Sequence, residues 1–161
     1  MRDCTCGTTW VGIHHPYPRE CIVRPDKDIG WLLAAEAIAT RADCRRRQIG
    51  AVIVDKHDRI VSTGRNGSPP GGPSCLEGEC PRGLLTTDEL PPDSSYDSGI
   101  GLCVAVHAEA NAIIFGDPDR MRGGTIYISC PVPPCPGCQR LIDGMGLKVI
   151  FNSLKENNEH R

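Results

Sequence analysis

The residues best suited to chemistry lie in two short stretches, "HAEAN" from His107 to Asn111 and "PPCPGC" from Pro133 to Cys138. His107 and Glu109 stand two positions apart, a spacing that does not put side chains on one face of a regular helix. They share a pocket only in an irregular first turn, which sets both at a helix N-terminus. There the unpaired N–H groups and the positive end of the helix dipole favour an anion. Cys135 and Cys138 have C-x-x-C spacing, again where a helix begins, so both sulfurs can converge on one ion. One histidine and two cysteines leave a fourth tetrahedral position open, the arrangement of a catalytic rather than a structural zinc. A neighbouring carboxylate that is not itself a ligand can take a proton from a water activated there, which gives Glu109 its role. Either motif alone is weak, since a lone His-x-Glu is most often surface chemistry and a lone C-x-x-C can be redox or structural.

These side chains need elements to hold them, and the chain supplies enough for one domain. Asp28 is a capping residue ahead of Trp31, Leu32, Ala35, Ile38 and Ala39, whose spacing predicts a helix from about Ile29 to Asp43. After the basic run Arg45 to Arg47, "IGAVIVD" and "RIVSTG" are β-branched segments joined by the polar turn "KHD", which predicts a hairpin. Residues 66–102 are dense in Gly, Pro, Ser and Asp, a loop long enough to be functional or tied down by something other than a core. Then come a helix in "AVHAEANAIIFG" ending near Gly116, a strand in "TIYIS", a helix in "PGCQRLIDGM" and a strand in "LKVIF". The order α-β-β-loop-α-β-α-β predicts a layered α/β domain with a mixed sheet over residues 28–152. An N-terminal Cys/His arm, 1–27, and a tail, 153–161, flank it. No internal repeat is present.

Composition narrows the partners. Of 161 residues, 39% are hydrophobic and 24% charged, which excludes wholesale disorder. A formal net charge of -2 gives no general attraction to nucleic acid or an anionic membrane, and the 4% aromatic content is too sparse for a stacking platform. A small charged ligand suits this balance better. The best apolar run, "WLLAAEAIA", is short and interrupted by Glu36, and no leader pattern precedes it, so a soluble, cytoplasmic protein is expected. Ten cysteines in a chain without an export signal favour metal over disulfides.

H-x-E followed by P-C-x-x-C is a pattern already established for zinc deaminases of cytosine or adenine, in which the glutamate carries protons to a ring nitrogen and to the leaving amine. More specifically, "HAEANAI" with "PCPGC", preceded by "IGAVIVD" and "GRNGSPPGGPSC", resembles the deoxycytidylate (dCMP) deaminases of the cytidine deaminase superfamily. The resemblance spans roughly residues 28–152. It implies a three-layer α-β-α cytidine deaminase-like fold with a mixed central sheet, and conversion of dCMP to dUMP and ammonia. It carries the zinc ligands onto His107, Cys135 and Cys138 and the proton shuttle onto Glu109. Asn66 matches an asparagine that contacts substrate, with a turn residue as the alternative, and the Ala108 N–H matches the donor to the pyrimidine carbonyl. Relatives often hold a second, structural zinc, which here would fall to Cys44, Cys75, Cys80 and Cys103 and pin the long loop; buried free thiols are the alternative. Cys4, Cys6, Cys21 and His14 or His15 could hold a third zinc in the arm. The resemblance also implies a homo-oligomer, often a hexamer, and in some members regulation by dCTP and dTTP.

Three features depart from that pattern: Arg65 precedes the Asn-Gly pair, "ISCPVPP" is about two residues longer than in relatives, and "FGDPDR" lacks a clear basic residue of the regulatory kind. A nucleotide substrate needs a phosphate partner, for which Arg41, Arg45, Arg46, Arg47 and Arg65 are candidates. Competing readings are a deaminase of dCTP, 5-substituted dCMP, a nucleoside, a free base or tRNA adenosine, and an inactive zinc-stabilised interaction module.

Overall fold

A computed structural model describes residues 26–91 and 94–152; Cys4, Cys6, His14, His15 and Cys21 of the arm, and the tail 153–161, lie outside the described residues. Five helices and four strands follow one another as α1 (Lys27–Ala39), β1 (Gly50–Val54), β2 (Ile60–Arg65), α2 (Pro81–Leu84), α3 (Ala108–Ile114), α4 (Pro118–Met121), β3 (Thr125–Ile128), α5 (Pro136–Met145) and β4 (Lys148–Phe151), with a 3-10 turn at Gly99–Gly101. The strands form one sheet in the order β2-β1-β3-β4. Its first three strands are antiparallel and β4 runs parallel to β3, so the sheet is mixed, as expected. No helix among the described residues is long and apolar enough to cross a membrane.

Every residue of β1 is buried, because β1 is covered on both faces. Val52 and Val54 point with Tyr127 toward Ala35 of α1, while Ala51 and Ile53 point with Ile126 and Ile128 toward Ala108 and Ala112 of α3 and Ile142 of α5. That is a three-layer α-β-α sandwich. Two glycines set how closely the outer layers approach: a Cβ at Gly50 would run into the backbone of Ala35 and Ala39, and one at Gly64 into that of Ala108 and Ala112. Each glycine therefore lets a helix rest its backbone directly on a strand.

The first helix departs from its predicted limits at both ends. Asp26, not Asp28, caps it, accepting from the Asp28 N–H at 2.8 Å. The Asp28 carboxylate accepts instead from the buried Tyr127 hydroxyl at 2.6 Å; burial and this carboxylate hold the Tyr127 hydroxyl far above the usual phenol range. The helix ends at Ala39 rather than Asp43, because Asp43 is drawn to the loop. Its carboxylate accepts from the Leu76 and Cys75 N–H groups at 2.9 and 3.2 Å and from Ser74 Oγ at 3.0 Å. The helices α2 and α4, each only four residues long, were not predicted. The base of the long loop is closed by a bridge between Gly67 and Val106, bonded in both directions at 3.2 and 2.9 Å.

Candidate active site

Two helix starts meet on the α3/α5 face of the sheet. The Gly64 contact seats α3, and Asn111 Nδ2 donates to the Arg65 carbonyl at 2.7 Å, fixing the helix along the end of β2. His107 is the N-cap of α3 with extended backbone (φ -67°, ψ 154°), and its side chain makes no capping bond, which leaves the imidazole to turn outward from the helix. Ala108 and Glu109 fill the first turn, the irregular position that their spacing required, and Glu109 is only 6% exposed. On α5, Cys135 is likewise the N-cap, Pro136 takes the first helical position where no N–H is needed, and Cys135 Sγ accepts from the Cys138 N–H at 3.5 Å.

His107 Nδ1 lies 3.4 Å from Cys135 Sγ and 3.5 Å from Cys138 Sγ. The three ligand atoms all fall within 4.8 Å of one another, and no other trio of His, Cys, Asp or Glu among the described residues closes so tightly. With Zn–S at about 2.3 Å and Zn–N at about 2.0 Å, a tetrahedral ion separates nitrogen from sulfur by roughly 3.5 Å, so the donors fit zinc as they stand. Burial, with Glu109 and Cys135 close by, pushes the Cys138 thiol well above its ordinary range in the metal-free set. A divalent cation reverses that, since a coordinating thiol is deprotonated outright.

A cavity of about 490 Å³ opens beside this trio and takes in Asn66, Ala108 and Glu109. That volume is ordinary for a small-molecule site. Asn66 is buried and bonded to the strand entry: Oδ1 accepts from the Ile49 N–H and Nδ2 donates to the Arg47 carbonyl, both at 2.8 Å. It is thus a fastener as well as a cavity residue. Of the five candidate arginines only Arg46 and Arg47 line the cavity. Arg45 instead donates to the Leu76 carbonyl at 3.2 and 2.8 Å, and Arg41 and Arg65 are exposed.

Cys44, Cys75, Cys80 and Cys103 line the same cavity. Cys80 Sγ is 3.8 Å from Cys103 Sγ, close to one edge of a zinc–thiolate tetrahedron, and Cys80 also meets Cys75, while Cys44 acts electrostatically on Cys75 and Cys103. The set does not close as tightly as the first. Burial opposes ionisation of Cys80, but N–H donors from Val104 and Gly83 and the neighbouring thiols outweigh it, holding Cys80 below the ordinary thiol range. Burial pushes Cys75 up to about 11 and raises Cys103 as well.

Arg82, Tyr96 and Cys130 also line the cavity, and their types and spacing in the sequence did not single them out. Arg82, in the short α2, and Tyr96 fall within residues 66–102, where no periodicity points at them. Cys130 lies in the lengthened "ISCPVPP" segment, and its sulfur is 3.7 Å from Arg47 Nη1.

Residues 25–153 match the family described as "Cytidine and deoxycytidylate deaminase zinc-binding region". The chain is 43% identical over 127 residues to the deoxycytidylate deaminase of Mycobacterium phage D29, covering 79% of this chain and 94% of that one. It is 31% identical over 138 residues to the deoxycytidylate deaminase of Schizosaccharomyces pombe, covering 85% of this chain but only 40% of the longer yeast protein. Among solved structures, the dCMP deaminase of cyanophage S-TIM5 in complex with dCMP and dUMP superposes with a TM-score of 0.55 at 23% identity, over 80% of this chain and 82% of that one. That likeness shows the shared fold. Donor geometry and sequence likeness agree: this zinc-binding chain belongs to the cytidine and deoxycytidylate deaminase family.

Proposed function

We propose that the protein hydrolyses the amino group of dCMP, giving dUMP and ammonia, with residues 28–152 as the catalytic unit. The observation that carries the reading is the buried Glu109 in the wall of a cavity that opens beside three converging zinc donors. The naming of 43%-identical and more distant relatives as deoxycytidylate deaminases supports the choice of substrate.

His107, Cys135 and Cys138 hold the zinc, and zinc bound there would supply Lewis-acid activation of a water. Glu109 takes up a proton as the oxygen nucleophile forms and passes it to the pyrimidine N3. It then carries the second proton to the departing amine, so that dCMP and water leave as dUMP and ammonia. Its burial beside the first turn of α3 keeps bulk water from competing for that proton. The Ala108 N–H, at the first helical position, donates to the pyrimidine carbonyl. Asn66 Nδ2, whose one bond to Arg47 leaves it a second hydrogen, donates to the substrate from the cavity wall. Arg46 and Arg47 receive the phosphate at the cavity rim.

The cysteine set around Cys80 holds a second, structural zinc. The protein works in the cytoplasm as a homo-oligomer.

Ammonia release by zinc-loaded protein tests the reading, with dCMP beside dCTP, 5-substituted dCMP, cytidine, free base and tRNA. Turnover of dCMP that disappears in Glu109→Ala is expected. Failure of folded, zinc-loaded protein to act on dCMP, with dCTP added as effector, would overturn the substrate assignment.

A further inference from the structure

Resting on the metal-site reading above, we propose that Tyr96 and Arg82 form a positioning pair that sets the ring angle of His107 and ties it to the order of the long loop. A metal-ligating imidazole ordinarily donates its second ring N–H to a carboxylate, a carbonyl or a water, and that bond fixes the ring. His107 turns Nδ1 toward the two sulfurs, and among the described residues no carboxylate or carbonyl accepts from its other nitrogen. The Tyr96 ring packs against the imidazole. It meets the imidazole in a T-shaped contact, with centroids 4.8 Å apart and planes at 86°.

Tyr96 is 43% exposed, so burial alone holds it weakly. Two contacts fix it. Its carbonyl accepts from the Cys103 N–H at 2.8 Å, and the Arg82 guanidinium lies over its ring, 3.9 Å from the centroid. Arg82 is anchored in turn: Nη1 donates to the Gly101 carbonyl at 2.8 Å and to the Ser94 and Ser95 carbonyls at 3.2 Å. Gly101 is needed for this, because a Cβ there would stand 2.9 Å from Arg82 Nη1. The loop carbonyls hold Arg82, Arg82 holds the Tyr96 ring, and that ring holds His107. Loosening the loop therefore loosens a zinc ligand.

The alternative role for Tyr96 is that of filler at the cavity wall, and the test separates the two. Zinc release from full-length protein to a chromophoric chelator is followed, with Cys138→Ser marking the phase that belongs to this site. Tyr96→Ala and Arg82→Ala are expected to speed that phase about 10- to 100-fold, the usual effect of losing a ligand's orienting partner. Their double variant is expected to do no worse than either alone. Tyr96→Phe, which keeps the ring, is expected to behave as the parent. Tyr96→Leu, which keeps apolar bulk without the ring, should release zinc as Tyr96→Ala does. In cobalt-substituted protein the thiolate-to-cobalt absorption should shift in Tyr96→Leu and not in Tyr96→Phe. Parent-like release and spectra in folded Tyr96→Leu would overturn the proposal, as would a Tyr96→Phe that fails like Tyr96→Ala. The parent's own zinc content and dCMP turnover report separately on the metal-site reading.

Discussion

The two cysteine clusters share one cavity and differ in what holds them. His107, Cys135 and Cys138 stand at the starts of two helices that rest on the sheet, and their donor atoms lie within 4.8 Å of one another. Cys44, Cys75, Cys80 and Cys103 ride on connecting segments, fastened by Asp43 and by backbone donors from Arg45 and Arg47, and their sulfurs close less tightly than the first trio. Sites on regular elements are held more closely than sites on loops. The donors of the first cluster are thus held by packed helices, and those of the second by loop contacts.

Substitution in each cluster should separate these roles. Cys138→Ser is expected to abolish dCMP turnover and the zinc bound at the first cluster, with little change in the melting temperature, because the helices beneath it remain packed. Glu109→Gln should lower kcat by about 10²- to 10⁴-fold with the zinc content unchanged, as measured by metal analysis beside steady-state kinetics. Cys80→Ser should act the opposite way. Its melting temperature should fall by several degrees, at about 2–4 °C per kcal/mol for a domain of this size, and protease should cut within residues 66–102. Turnover at low temperature should survive in part. If Cys80→Ser matched Cys138→Ser in every measurement, the distinction between the clusters would be lost.

The glycines sharpen the comparison by face. Gly50→Ala and Gly64→Ala each force a helix off the sheet and should cost about 1–3 kcal/mol in denaturant unfolding. Only Gly64→Ala, which displaces α3 and with it His107 and Glu109, should also depress kcat in the molecules that fold.

The smallest expected effect is on acid stability. N–H donation from Leu76, with help from Ser74, Cys75 and Arg65 and against the cost of burial, holds the Asp43 carboxyl below the usual aspartate range. Its folded value is therefore below its unfolded one. The stabilisation is complete above the unfolded value near about 4 and is lost as pH falls through the folded value. Loop proteolysis should rise below about pH 4, and Asp43→Asn should remove that dependence.

Much of this arrangement was legible in the sequence. The helix at Pro136–Met145 matched its predicted limits because a C-x-x-C start, an apolar stripe and Gly146 as a left-handed C-cap all agree locally. The same local logic placed His107 and Glu109 at a helix start, since their spacing admits little else. What escaped depends on partners far away in the chain. The true cap of α1 was missed because Asp28 is engaged by Tyr127, 99 positions on, and the helix end because Asp43 serves residues 74–76. Arg82 and Tyr96 are single residues in a loop without period, and only the folded loop stacks one on the other beside His107.

The most direct test of the central claim is a crystal structure of Glu109→Ala with dCMP, with anomalous data at the zinc edge. Zinc is expected bonded to His107 Nδ1, Cys135 Sγ and Cys138 Sγ, with the pyrimidine amino carbon facing the open coordination position and residue 109 outside the coordination sphere. Zinc found only among the four cysteines around Cys80, with dCMP remote from His107, would contradict it.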